Sequence, residues 1–560
     1  MSWLGASDFE DVLGCAVSGC PLRRQATTAA LRAGRDRAST TPQRIGFMLI
    51  VGQKAKRCFI PLLRKLGFGL RHIGNYQLLI RIIGMPTAIL LSYVIASVIT
   101  SIHVIMNKRN PVAASLWLIT IWLAPYLGAF LYCMLGINRV NRKAVSLRKG
   151  INRYRFPILE NFQVNESELC RYGISEHLIP LAKSVRRLTE QDLLSGNSIV
   201  PLFSGNTTYD AMIEAISNAN RSIVLMTYIF HADGIGDRFI AALRQALARG
   251  VEIRVLLDGV MAHLTRPSIV KALRAADIPY ALFNSPLLAR QLFFLNLRSH
   301  RKICVIDGLI GFAGGFNIHR NYWSINPEQE VFQDTHFRVT GPIVAQLSNV
   351  FVNEWLYSSG ETLRGEPWFF EEPKIQEIGS VLARGIAAGP DERWERLRGS
   401  YLTALNVAQQ SVRIMSPYFI PDEVLVAAID DAINRQVAVD IIIPESGSKI
   451  LLAATMGRIN ETLQHGARLW LCPSPFNHSK LMTVDNQWLL MGSGNWDERS
   501  LRLNYEFNME CYNTAIVEDV NKLFSAHQNA GRRLTYEEYM KRSFYERFLD
   551  GCARICSPFL

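Results

Sequence analysis

The sequence predicts an α/β protein: two homologous α/β domains that build one site between them, preceded by a hydrophobic helical hairpin. Three observations lead there. Strand-helix-strand patterns occur at 211–259 and again at 400–445. Each is followed by one copy of the same motif, HRKICVIDGLIGFAGGFN at 300–317 and HSKLMTVDNQWLLMGSGN at 478–495. Near the N-terminus, residues 85–106 and 112–137 contain no Lys, Arg, Asp or Glu. The chain has 560 residues and 49% hydrophobic content, with a mean hydropathy of +0.09. That is long enough for two cores and apolar enough for part of the chain to lie in a bilayer.

Residues 1–80 read as a basic, partly disordered extension. The first 45 are rich in Arg, Ala, Ser and Thr, and 46–73 mix apolar and basic residues in a pattern suited to a membrane surface. Part of this extension is expected to be dispensable for catalysis. Residues 81–138 follow as two transmembrane helices, because each uncharged stretch exceeds the roughly 20 residues that cross a bilayer. The turn between them, NKRNP, carries only Lys108 and Arg109, whereas basic residues crowd both flanks. Both ends and all that follows are therefore expected on the cytoplasmic side of the membrane. A linker over 139–195 leads to a first domain at 196–372 and a second at 373–560. In each, β-branched apolar strands (SIVLMTYIF, SVRIMSPYF) and helices with apolar positions at helical spacing imply a mostly parallel sheet with helices packed on it. Ten cysteines without a CxxC pair read as reduced thiols.

The doubled motif carries chemistry. Alternation along a strand points His300 and Lys302 the same way, and likewise His478 and Lys480. Asp307-Gly308 and Asp485-Asn486 fall where a hairpin turn belongs. These aspartates complete the repeated set and are counted with the catalytic residues, although turn residues can equally be structural. Gly315 and Ser493 are small enough to admit a ligand to the backbone, and the amides of Asn317 and Asn495 can donate to an oxyanion. Face to face, the halves offer two imidazoles, two ammonium groups and two amides, a set suited to a phosphodiester. A neutral histidine attacks phosphorus and a protonated one releases the leaving alkoxide, while the lysines offset charge on the non-bridging oxygens. Asp334 and Glu506 are candidate carboxylate partners for the imidazoles. No metal or other cofactor is expected, because a lysine beside each histidine repels a cation. The net charge of +13 suits an acidic partner.

The doubled H-x-K-x4-D-x6-G-[GS]-x-N resembles the paired signature of the phospholipase D superfamily. NLRSHRKICVIDGLIGFAGGFNI (296–318), PYFIPDE (417–423), NWDERSLRLNYE (495–506) and ARICSPFL (553–560) are similar to its bacterial cardiolipin synthases. Gly315 stands where Ser is common, and Glu354 where Asp is frequent. The resemblance implies two αβα-sandwich domains with a shared, metal-independent site and a phosphohistidine intermediate. It implies that His300 is the nucleophile and His478 the acid/base, joining two phosphatidylglycerol molecules into cardiolipin with loss of glycerol. Phosphatidylglycerol and anionic membrane lipids are then the partners, and the location is the bacterial inner membrane with the catalytic domains cytoplasmic. A hydrolytic phospholipase D or another phosphatidyltransferase, such as a phosphatidylserine synthase, is the alternative. A nucleic-acid substrate is not expected, since a membrane hairpin gives a nuclease nothing. The sequence leaves the oligomeric state open.

Overall fold

The computed structural model describes residues 87–557, apart from 109, 125, 137–159, 286–296, 327, 369–377 and 391–395. The expected extension over 1–80 lies outside these, as does most of the first part of the 139–195 linker. The chain forms two compact units, Met1–Gly136 and Ile137–Leu560.

In the first unit, Thr87–Asn107 is a helix of 21 residues, with side chains described from Leu91 onward. Pro111–Leu123 is a second, opened by the side chain of Asn110, which accepts the Ala113 N–H at 3.0 Å. They are tied by the Tyr93 hydroxyl donating to the Trp122 carbonyl at 2.6 Å and by Trp122 Nε1 donating to Ser101 Oγ at 3.2 Å. The continuous second span expected over 112–137 is not seen. The helix ends at Leu123, a short helix covers Leu127–Leu131, and a π-turn covers Tyr132–Gly136. The cause is in the sequence: a residue before proline is driven out of the helical region, and Ala124, which precedes Pro125, has φ −118° and ψ 88°. Among the described residues no helix is long and apolar enough to cross a membrane. The two helices nevertheless leave Leu91, Ile95, Ile99, Ile102, Ile105, Leu116, Ile119 and Leu123 exposed.

The second unit is built on one sheet with 16 strands among the described residues. A two-residue strand, β1 (Gln163–Val164), pairs with β2 (Leu193–Leu202). The first half continues with β3 (Ser222–Thr227), β4 (Glu252–Asp258), β5 (Tyr280–Phe283), β6 (Ile303–Ile306), β7 (Ile310–Gly314) and β8 (His336–Thr340). The second half repeats this as β9 (Val381–Ala388), β10 (Ser411–Met415), β11 (Ala438–Pro444), β12 (Arg468–Cys472), β13 (Leu481–Val484), β14 (Trp488–Gly492) and β15 (Glu506–Tyr512), with β16 (Arg532–Leu534) added at the edge. The order is β16-β12-β11-β10-β13-β14-β15-β9-β2-β8-β7-β6-β3-β4-β5, so each half is the image of the other across the β9–β2 seam. The sheet is mixed rather than mostly parallel. Helical crossovers make β3-β4-β5 and β10-β11-β12 parallel, while the β6–β7 and β13–β14 hairpins make their neighbours antiparallel.

Strand alternation builds two cores on either face of each half. Ile223, Leu225, Cys304 and Ile306 pack toward the helices Gly205–Ser217 and Gly234–Ala248. Their neighbours Val224, Met226, Ile303 and Val305 join a central core. That core takes in the helices Ile343–Ser359 and Thr514–Ala530, and it continues into the second half through Met415, Leu481 and Phe507. This continuity brings the starts of β6 and β13 together.

Candidate active site

The residues just before β6 and β13 are buried although they are charged: His300 is 8% exposed, Lys302 3%, His478 8% and Lys480 4%. The halves are stitched there by main-chain bonds in a two-fold pattern. His300 N–H donates to the Tyr505 carbonyl at 2.9 Å, and Tyr505 N–H to the Arg298 carbonyl at 2.8 Å. Its counterpart is His478 N–H to the Gln333 carbonyl at 2.7 Å, with Gln333 N–H to the Phe476 carbonyl at 2.9 Å.

The side chains follow the same crossing. His300 Nδ1 lies 2.9 Å from Glu506 Oε2, and His478 Nδ1 lies 2.8 Å from Asp334 Oδ2. Each imidazole thus meets the carboxylate of the opposite half, and each carboxylate fixes one ring tautomer, leaving Nε2 for chemistry. Glu506 also accepts from Ser493 Oγ at 2.5 Å. Asp334 Oδ1 accepts the Thr335 N–H at 2.7 Å. The two partners differ in length, and the small residue beside each differs to match. A Cβ at Gly315 would sit 2.1 Å from Asp334 Oδ1, so Asp334 leaves no room for a serine like its counterpart Ser493.

Burial sets the electrostatics. It lowers the pKa of His300 against the opposing pull of Glu506, and lowers that of His478 to about 3, with Lys480 adding to the effect and Asp334 opposing it. It also brings Lys302 to about 7 and Lys480 to about 8, in both cases against the attraction of Glu506 and Asp334. Burial alone would raise Glu506, but His300, Lys302 and the Ser493 hydroxyl hold it below the ordinary carboxyl value. Lys302 Nζ donates to the His300 carbonyl at 2.6 Å, and Lys480 Nζ donates likewise to that of His478. Asn317 and Asn495 are buried, each with a side-chain oxygen unpartnered among the described residues.

Asp307 and Asp485 are not in this cluster. They follow the far ends of β6 and β13, at φ 53° and 49°. Asp307 accepts the backbone N–H groups of Asn220, Arg221 and Ser222 at 2.8–2.9 Å. Asp485 does the same for Gln409, Gln410 and Ser411 at 2.8 Å and also meets His177 Nε2 at 2.8 Å. Carboxylates so occupied hold the chain entering β3 and β10.

Several neighbours went unnoticed in the sequence. The Tyr228 ring lies 4.9 Å from that of His300 and 5.3 Å from Lys302 Nζ. Tyr418 and Tyr322 rings each lie 6.3 Å from His478. Tyr228 and Tyr418 stand one place apart in the aligned repeats SIVLMTYIF and SVRIMSPYF, where Tyr228 matches Pro417 and Tyr418 matches Ile229, so the repeat did not mark them. Arg301, on the opposite side of the strand from His300 and Lys302, is 2% exposed and paired with Glu354 at 2.5 Å. Among the described residues, the group able to hold a metal is His231, Asp233 and His319, with ligand atoms within 4.8 Å of one another. It includes none of the paired motif residues, and His319 Nδ1 already accepts the Asn321 N–H at 3.0 Å.

A family model described as cardiolipin synthase, PLD-like domain, matches residues 212–355 and 401–528, and one described as phospholipase D-nuclease N-terminal matches 95–136. The cardiolipin synthase of Oceanobacillus iheyensis is 30% identical over 82% of this chain and 95% of its own length. The major cardiolipin synthase ClsA of Bacillus subtilis is 30% identical over 85% of this chain and 99% of its own. Among solved structures, the phosphatidylserine synthase of Haemophilus influenzae is similar with a TM-score of 0.52 at 15% identity, covering 68% of this chain and 100% of that one; this is a likeness of fold.

Proposed function

The chain belongs to the bacterial cardiolipin synthases of the phospholipase D superfamily, and on that premise we propose how this phosphatidyltransferase makes cardiolipin from two phosphatidylglycerol molecules. The observation that carries the reading is the crossed pair His300–Glu506 and His478–Asp334, with a buried lysine beside each imidazole.

His300 Nε2 attacks phosphorus while Nδ1–H stays bonded to Glu506. The P–O bond to glycerol breaks, and the alkoxide leaves with a proton from His478 Nε2. The product is a phosphatidyl-histidine and free glycerol. His478, now neutral and still bonded to Asp334, takes the proton of the terminal hydroxyl of a second phosphatidylglycerol. That oxygen attacks phosphorus, His300 departs, and cardiolipin forms. Burial disfavours the protonated acid that this sequence needs. The phosphodiester anion supplies the correction, because its charge raises the pKa of both imidazoles and both ammonium groups as it enters. Lys302, Lys480, Asn317 and Asn495 then face its non-bridging oxygens. In this reading Asp307 and Asp485 serve the scaffold.

Residues 87–136 are proposed to hold the enzyme at the inner membrane as a hairpin with both ends cytoplasmic. The supports are their exposed apolar side chains and the basic flanks. Resistance of the full chain to alkaline extraction from membranes, with proteolysis of 137–560 from the cytoplasmic side only, is the expected result.

Product analysis tests the chemistry. Labelled phosphatidylglycerol in mixed micelles with a chelator should yield cardiolipin and glycerol, and His300→Ala and His478→Ala should each lose at least ~10³-fold. Phosphatidic acid as the sole product would make the enzyme a hydrolase. The roles are separated by a phosphatidyl ester of p-nitrophenol, whose leaving group needs no proton. His478→Ala should release one equivalent of nitrophenol per site and stall, whereas His300→Ala should release none. The reverse pattern would exchange the two assignments.

A further inference from the structure

The C-terminal helix Phe544–Cys556 is turned inside out relative to a helix on a soluble surface. Its buried residues are Asp550 and Ala553. Asp550 pairs with Arg542 at 2.5 Å, and its backbone carbonyl packs close on Gly457 of the helix Lys449–Gln464, where a Cβ would come within 2.4 Å. The opposite arc carries Phe544, Tyr545, Phe548, Leu549, Cys552, Ile555 and Cys556, all exposed; Phe544 reaches 78% and Ile555 72%. At 3.6 residues per turn these seven fall on one side, and none is charged. An amphipathic helix normally buries that face against its own core.

Exposed Val424, Ile450 and Met540 belong to neighbouring helices. Ala553 packs with Ile420 and Ala454, and Ile420 lies two residues from Tyr418, whose ring is 6.3 Å from that of His478. The inner face of the helix therefore packs on the segment that carries Tyr418, a wall of the site.

We propose that Phe544–Cys556 is a lipid-contact element, lying in the bilayer interface on its Phe-Tyr-Leu-Ile arc and setting the Tyr418 side of the site against the membrane. A bilayer is favoured over a protein partner by the character of the arc. Aromatic side chains flanked by Lys541 and Arg554 suit the boundary between acyl chains and anionic headgroups. The helix itself is balanced, with Glu546 and Asp550 against Arg547 and Arg554, so binding through it draws on apolar area rather than charge. Its link to the site rests on the phosphatidyltransferase reading; the lipid contact does not.

The test uses the full chain in vesicles of phosphatidylglycerol and phosphatidylcholine, with a phosphatidylcholine carrying a photoreactive acyl chain. After illumination, acyl adducts should appear on the peptide spanning 543–557. They should fall at least about ten-fold in Phe544→Ser/Phe548→Ser/Ile555→Ser, whose substituted side chains are exposed and support no core. The same variant should lose turnover on vesicles but not on short-chain, monomeric phosphatidylglycerol. Adducts elsewhere on the chain without any on 543–557 would overturn the proposal. Polar maleimide would then show what takes its place: blocked Cys552 and Cys556 mean that protein covers the arc, and thiols as reactive as exposed Cys170 mean that water does. The adduct readout requires no catalysis, so a failed enzymatic reading would not disturb it.

Discussion

At the scale of single residues, the site keeps its charges in a place that disfavours charge. Lys302 loses its proton at about 7 in the folded chain and near 10.4 unfolded. Below pH 7 its burial penalty is carried in full. Between about 7 and 10 the unfolded chain binds the extra proton, so the lysine's contribution to stability rises with pH. Lys302→Met should therefore raise the melting temperature at pH 7, by less as pH approaches 9, while reducing turnover by at least ~10²-fold. A lower melting temperature at pH 7 would mean that the ammonium is a net stabiliser. The same depressed values place an alkaline limit on activity. As Lys302 and Lys480 deprotonate near 7 and 8, or somewhat higher with the substrate anion bound, kcat/KM should decline with pH. Gly315→Ser, a change toward its counterpart Ser493, should impair rather than help, because its Cβ enters the space of Asp334 Oδ1. The loss should appear in kcat and be eased by removing the clash at its source in Asp334→Ala only if Asp334 is dispensable, which the crossed pair argues against.

At the scale of elements, the motif is a device for aiming. One residue type per strand position sends His300 and Lys302 to the site and Arg301 down to Glu354. That much was legible in the sequence, because a period of two and an Asp-Gly turn are local facts. The same local facts left the two motif aspartates open between catalysis and the turn: a residue seven positions from the histidine on an extended strand is roughly 20 Å away, which favours the scaffold role proposed above. Asp307→Asn should cost about 1–3 kcal/mol of stability, since an amide accepts fewer and weaker bonds from the three N–H groups, yet leave kcat of the folded enzyme nearly unchanged. Equal losses in kcat and stability would return Asp307 to the chemistry. The interruption of the second hydrophobic helix was also present in the sequence as Pro125, but a count of uncharged residues does not register it.

At the scale of the whole molecule, the two halves share a sheet rather than an interface. Asn197 sits in the β2–β9 seam with no exposure, donating to the Leu194 and Val381 carbonyls at 2.8 and 3.1 Å and accepting the Ile343 N–H at 2.7 Å. Asn197→Ala should lower the stability of the 137–560 unit by about 2–4 kcal/mol and move a single calorimetric transition. Two separated transitions would show that the halves fold independently. The repeat was readable because both copies are written out in one chain. The crossing was not, since no local pattern says which of two equivalent carboxylates lies against which histidine.

That crossing has a consequence for biosynthesis. A ribosome-bound chain that has emerged only through the first motif has His300 but lacks both His478 and Glu506, and a chain cut anywhere before residue 478 stays in that condition. Its imidazole has no fixed tautomer and no acid opposite it. Truncated or half-made copies anchored at the membrane should thus be chemically silent toward the lipids around them, neither transferring nor hydrolysing. Competence arrives in one step, when the last strands of the sheet close over the first half.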